Sequence, residues 1–123
     1  MQLELEKGAG NTIQSFSRGE LRINNELLRC NVIISVDRLI LDWAPPPVRE
    51  LRIADFEPVL SLKPEVILLG TGETQAFPDA RLMTDVMRQG IGLEVMNTGA
   101  ACRTYNVLMS EQRHVVAALL LDR

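Results

Sequence analysis

Apolar and polar positions alternate through the first third of the chain. Glu20-Leu21-Arg22-Ile23 has a period of two and meets the apolar run Leu27–Ile34 across Asn24-Asn25, residues that tolerate the left-handed backbone of a tight turn. This pattern predicts a hairpin. A second alternation, Val32, Ile34 and Val36 followed by Leu39, Leu41 and Trp43 beyond Asp37-Arg38, predicts another hairpin with one apolar face, so that the region forms a small meander. Pro45-Pro46-Pro47 ends it, because three consecutive prolines fix φ and donate no backbone hydrogen bonds. They give a stiff, extended connector.

The period then changes. Asp55 is placed as the N-cap of a short helix through Leu62, with Pro58 in its first turn and Lys63-Pro64 as the stop. Val66-Ile67-Leu68-Leu69, after Glu65, is too uniformly apolar to have a wet face and predicts a central strand. Leu82, Met83, Val86 and Met87 recur at helical spacing between Pro78 and Gly90, with Gly90 as a left-handed cap. Leu93–Met96 is read as a second central strand. Ala101, Tyr105, Leu108 and Met109 form the stripe of a second helix starting near Asn97 or Thr98, and Val115–Leu121 is the last strand. Strands alternating with helices predict an α/β class with parallel neighbours, while the direction of the last strand is left open. One domain over residues 1–123 fits this length.

Charge narrows the partners. With 16 acidic and 13 basic residues the formal charge is −3, and the arginines are scattered one per segment, mostly beside an acid. No cationic field draws in a phosphate backbone, so nucleic acid is not expected as a partner. The N-terminus MQLELEKGAGN carries acids where a secretory signal needs a basic start and an apolar run, which leads to an expected cytoplasmic location. No apolar stretch reaches the roughly 20 residues of a bilayer span, so no transmembrane segment is expected. Cys30 and Cys102 form no CxxC pair and are read as buried thiols.

Two glycine-bearing segments carry the candidate chemistry. Gly70-Thr71-Gly72-Glu73 directly follows a strand, where glycines let a backbone approach an anion. It lacks the third glycine of a dinucleotide loop and the GxxxxGK[ST] of a phosphate loop, and Glu73 adds negative charge, so a tight strand-to-loop turn is the favoured reading. Asn97-Thr98-Gly99 opens a helix whose free amides, assisted by Arg103, would hold a carboxylate or phosphate; capping by Asn97 or Thr98 explains the same residues without a ligand. If the two strands preceding these segments are parallel neighbours, Gly70, Thr71, Gly72, Asn97, Thr98, Gly99 and Arg103 lie at their carboxyl ends, where open α/β sheets hold ligands. His114 is the only histidine and stands beside apolar residues, which favours a structural or surface role. Neither a catalytic set, a metal site nor a cofactor is assigned. Cys102 precedes Arg103 near a helix start, yet its apolar neighbours favour packing over reactivity. Tyr105 and Asn106 fit a buried hydrogen-bond network between helix and sheet.

A resemblance emerges from these residues. Leu68-Leu69-Gly70-Thr71-Gly72, then Gly92 to Thr98 (GLEVMNT), Ala100 to Asn106 (AACRTYN) and Ser110 to Arg113, with Trp43 and the strand pairs before it, are similar to a small uncharacterised domain family of archaea, bacteria and mitochondria. Its mitochondrial member is an assembly factor of respiratory complex I. The resemblance implies a three-layer fold, a β meander plus an α/β/α sandwich with a mixed central sheet. For function it implies little, with no enzymatic activity, catalytic set or cofactor to carry over. The glycines, small residues and amides that carry the resemblance suit fixing a fold or cleft, so the leading reading is a non-catalytic domain that binds a protein partner in assembly of a larger complex, as the mitochondrial member does. The alternative is a small anionic-ligand binder or enzyme at the two glycine loops. A monomer or weak homo-oligomer is expected, the latter through apolar strand faces carrying Leu39, Leu41 and Trp43.

Overall fold

The computed structural model describes residues 10–121. Strands β1 (Ile13–Ser17), β2 (Glu20–Ile23) and β3 (Glu26–Leu28) form an antiparallel sheet in that order. Asn24 and Asn25 hold φ of 53° and 69°, the left-handed pair that lets a two-residue turn match the strand twist. β1 is an addition to the elements that periodicity predicts. Its register shifts between Ile13 and Ser15, so Ile13 and Phe16, three residues apart, both pack on the core. A bulge of this kind hides a strand from a period-two pattern.

Leu27–Ile34 is not one strand. Arg29-Cys30-Asn31 carries the chain out of the small sheet, and β4 (Val32–Ile34) pairs instead with β5 (Leu39–Leu41). Asn31 pins this crossing, its Nδ2 donating to the Trp43 carbonyl at 2.9 Å and its Oδ1 accepting from the Leu121 amide at 2.8 Å. Asp42 then adopts φ 61°, which breaks the alternation. Trp43 therefore leaves the face it was expected to share with Leu39 and Leu41. It packs edge-on against Phe56, ring centroids 5.6 Å apart, and its indole N–H donates to the Asp55 carbonyl at 3.2 Å. Trp43 is thus buried within its own chain while Leu41 stays exposed.

The predicted short helix is split and ends short of Leu62. A 3-10 turn, Ile53–Phe56, leads into α1 (Glu57–Leu60). Asp55 lies inside that turn rather than capping α1, because its Oδ2 folds back to accept the Arg52 amide at 2.8 Å. Strand β6 (Val66–Thr71) is followed by α2 (Ala80–Met87), β7 (Gly92–Met96), α3 (Thr98–Ser110) and β8 (Val115–Leu120). Asp79 caps α2 by accepting from the Arg81 amide at 2.8 Å, and Gly90 follows the helix with φ 76°.

The five-stranded sheet has the order β5-β4-β8-β6-β7, with β6 parallel to β7 and β8, and β4 antiparallel to β8 and β5. The last strand of the chain thus occupies the middle. β7 is an edge strand, not the central one expected, because β8 takes the inner position beside β6; Gly92 and Glu94 are accordingly exposed and Leu93 buried.

Alternate residues of the central strands feed two cores. Val66, Leu68, Ala117 and Leu119 meet α3 and the small sheet through Ala101, Cys102, Tyr105, Ile13, Leu21 and Ile23. Ile67, Leu69, Val116 and Ala118 face the other way, toward Trp43, Leu51, Phe56, Val59, Leu82 and Val86. The result is the three-layer, mixed-sheet α/β arrangement that the resemblance implies. Two neighbouring side chains fasten α3 to the small sheet: the Tyr105 hydroxyl donates to the Asn11 carbonyl at 2.9 Å, and the Asn106 amide bonds both backbone groups of Ile13.

Leu68 is fully buried between β8 and α3. Leu68→Ala should cost about 2–5 kcal/mol in urea denaturation, through lost burial and the cavity left behind. Tyr105→Phe, which deletes one hydrogen bond and little volume, should cost about 1 kcal/mol.

Candidate functional site

The parallel pairing of β6 with β7 puts Gly70 opposite Met96, so the two glycine segments do meet at the carboxyl ends of these strands. They meet by bonding each other. The Gly72 amide donates to the Thr98 hydroxyl at 2.8 Å, the Thr98 amide donates to the Gly72 carbonyl at 2.8 Å, and the Thr98 hydroxyl donates to the Leu120 carbonyl at 2.7 Å. Thr98 is fully buried. One side chain thereby ties the ends of β6 and β8 to the first turn of α3.

Gly70 permits this contact. A Cβ at position 70 would stand 3.0 Å from both the Thr98 Cα and its Oγ1, and 3.1 Å from a Leu119 methyl. Two of those neighbours belong to a residue held by three hydrogen bonds and cannot give way cheaply. Gly72 has φ 101°, a backbone region that side chains disfavour. The Thr71 hydroxyl donates to the Thr74 carbonyl at 2.7 Å and accepts from the Ala76 amide at 3.0 Å, which folds the following loop back on the strand end. Asn97, rather than Thr98, is the helix cap: its Oδ1 accepts from the Ala100 amide at 2.8 Å. The amides of Gly72, Thr98 and Ala100 thus already have acceptors within the chain.

The seven residues singled out from sequence fall into two groups. Gly70, Thr71, Gly72, Asn97 and Thr98 make the knot just described. Gly99 and Arg103 lie on another side of α3, toward β1, where they line a groove of about 320 Å³ with Ile13, Phe16, Cys102 and Asn106. Leu120 and Phe16, which complete the two places, carry no sequence signal: one contributes a backbone carbonyl, the other lies on the bulged strand. A larger hollow of about 670 Å³ lies elsewhere, between the β1–β2 turn and residues 29–31 and 42–44. Its lining balances Arg18 and Arg29 against Glu20 and Asp42, with Arg29 only 3.9 Å from Glu20.

The remaining reactive types are dispersed. His114 is exposed at the start of β8, its amide donating to a Glu65 carboxylate oxygen at 2.9 Å. That backbone bond, with Arg113 beside it, holds the Glu65 carboxyl below its usual value of 4.5. Thr98 bonds to Leu120 at the other end of the same strand, so β8 separates His114 from the α3 entrance by roughly 20 Å. Burial pushes the Cys102 thiol from 9.0 up to about 12, against a small opposing effect of Arg103. Desolvation by burial likewise raises the Tyr105 phenol. Both cysteines are free, Cys30 half-buried and Cys102 buried. Among the described residues no three His, Cys, Asp or Glu side chains converge as metal ligands, and no helix is long and apolar enough to cross a membrane.

A small mixed α/β domain closed by a strand–helix knot is the class that this geometry defines. Residues 13–120 match the family described as protein of unknown function (DUF498/DUF598), and the chain belongs to that family. It is 31% identical over 122 residues to the zebrafish (Danio rerio) NADH dehydrogenase [ubiquinone] 1 alpha subcomplex assembly factor 3, covering 96% of this chain and 68% of the relative. A crystal structure of a Bordetella parapertussis protein matches with TM-score 0.85 and 31% identity, covering 94% of this chain and 99% of that one. A solution structure of a Bordetella pertussis protein, described as a Mth938-like domain, matches with TM-score 0.79 and 26% identity, over 99% and 93% of the two chains. A 13 kDa major membrane protein of Francisella tularensis is 30% identical over 73 residues, 59% of each chain, whereas the zebrafish and Xenopus tropicalis assembly factors are longer, the matched part spanning 68% and 60% of their length.

Thr98→Val keeps the shape but leaves the Gly72 amide and the Leu120 carbonyl without the hydroxyl. It should cost about 1–3 kcal/mol for each buried group left unpaired, with Thr98→Ser recovering most of it in urea melts. Cys102 should resist alkylation until the chain unfolds, whereas Cys30 labels in the folded state. The unfolded Cys102 ionises near 9.0 and the folded one near 12, so the unfolded state releases its proton first and rising pH favours unfolding. Stability should be unaffected by this group below pH 9 and fall above it, by at most about 1.4 kcal/mol per pH unit, and Tyr105 adds a loss of the same sign.

Proposed function

We propose that this chain is a non-catalytic domain that binds a protein partner during assembly of a larger complex, and does so in the cytoplasm. The observation that carries the reading is the knot at the strand ends. At the place where α/β sheets usually hold a ligand, the amides of Gly72, Thr98 and Ala100 and the hydroxyls of Thr71 and Thr98 are bonded to the chain itself. A bonded junction of this kind stiffens a scaffold; it offers no poised nucleophile or base, and the buried Cys102 thiol, on the side of α3 toward β1, stays protonated at neutral pH.

Two further facts support it. The zebrafish relative is named as an assembly factor of NADH dehydrogenase. The loop after β6 is held rigid by Thr71 and by the Gln75 amide, which donates to the Val95 carbonyl at 2.9 Å, and on it Phe77 is 66% exposed. A large aromatic on a pre-ordered loop gains contact area on binding with little ordering cost.

Deletion of the gene in its own cell should lower the amount of assembled respiratory NADH dehydrogenase on native gels. The tagged chain, captured at native expression level, should co-purify with subunits of that complex before assembly is complete. An unchanged level of assembled complex in the deletion strain, together with the absence of its subunits from the capture, would sink the proposal.

A further inference from the structure

We infer that the groove between β1 and the first turns of α3 receives an extended segment of a partner protein, with an acidic side chain of that segment held by Arg103. The inference rests on the protein-binding reading above and gives it a location and a chemistry. The β1–β2 hairpin closes on the two-residue turn Arg18-Gly19, so Ser17 and Glu20 form its hydrogen-bonded pair and Phe16 and Leu21 the next, non-bonded pair. Phe16 consequently turns its N–H and C=O away from β2, to the open edge of the small sheet.

That edge already takes a strand-like partner at one point. At Ile13 the Asn106 side chain accepts from the backbone N–H at 3.2 Å and donates to the backbone C=O at 2.7 Å, the two bonds that a neighbouring strand would supply. Asn106 therefore closes one end of the edge and fixes its distance from α3. Phe16, beyond the bulge, opens into the groove of about 320 Å³.

The opposite wall suits an acid. Position 99 carries no side chain, and a Cβ there would already stand 3.4 Å from the Phe16 ring and 3.6 Å from an Arg103 nitrogen, so glycine keeps the passage open. Arg103 is the only charged residue lining the groove, is exposed, and has no ion-pair partner among the described residues. In a chain of net charge −3 this is a local cationic spot, reinforced by the positive end of α3. Main-chain bonds at Phe16 supply affinity for an extended segment, and a charge-assisted bond to Arg103 selects a carboxylate.

The test titrates the isotope-labelled chain with two synthetic peptides, N-acetyl-Val-Glu-Val-Glu-Val-amide and its lysine counterpart, while following backbone amide resonances. The acidic peptide should shift Phe16, Ser17, Gly99 and Arg103 and slow hydrogen exchange at the Phe16 amide; the lysine peptide should leave them in place. Arg103→Glu should weaken the acidic peptide by about tenfold, and Arg22→Glu, on the far face of β2, should not. An acidic peptide that moves none of these amides at millimolar concentration, or binds Arg103→Glu equally well, overturns the inference. The capture experiment separates the two readings: subunits retained in full by Arg103→Glu refute the groove alone, while their absence from the unaltered chain, with assembled complex unchanged in the deletion strain, refutes the assembly role.

Discussion

The hydroxyl of Thr98 is the point on which the arrangement of this molecule turns. It accepts from the end of β6, donates to the end of β8, and sits at the first turn of α3, so three elements far apart in sequence share one oxygen. Such a contact needs the backbones to approach within van der Waals range. A residue without Cβ at position 70 makes it easy, since a Cβ there would stand 3.0 Å from the Thr98 Cα and Oγ1 and would force the bonded threonine to give way. Glycine and threonine are therefore two halves of one constraint.

From that junction the course of the helix is set. With its N-terminus tied to the sheet, α3 lies across Leu68, Ala117 and Leu119 and presents Tyr105 and Asn106 to the small sheet. Asn106 supplies, at Ile13, backbone bonds that β1 lacks on its outer side, and Tyr105 holds the chain at Asn11 just before it. Small sheets need an apolar face covered by another element to be stable; here the three strands share the α3 core and are bonded to the same helix. The two sheets thus depend on one helix, and the helix on one threonine.

The same economy shapes the chemistry. Polar groups at the strand ends are bonded internally, which removes the cost of burying them but also leaves nothing to hold or move a proton there. The groups that stay open lie on another side of α3: an arginine, a strand edge and the space left by Gly99. A rigid frame with an open edge is suited to holding another chain, because little ordering entropy is lost when a partner docks.

The periodic pattern determined which segments became β2, the central strand β6, both long helices and β8, because apolar spacing decides which face of a segment leaves water. It also marked Gly70, Gly72, Asn97 and Thr98 as a meeting place, through their position after strands. The pattern could not reveal β1, whose bulge puts Ile13 and Phe16 out of step, nor the turn of Trp43 away from Leu41 at the left-handed Asp42. It could not place β8 in the middle of the sheet or β7 at its edge. These features arise from long-range pairing, in which a strand's neighbour and a glycine's close contact are chosen by residues tens of positions away, and local spacing carries no record of that choice.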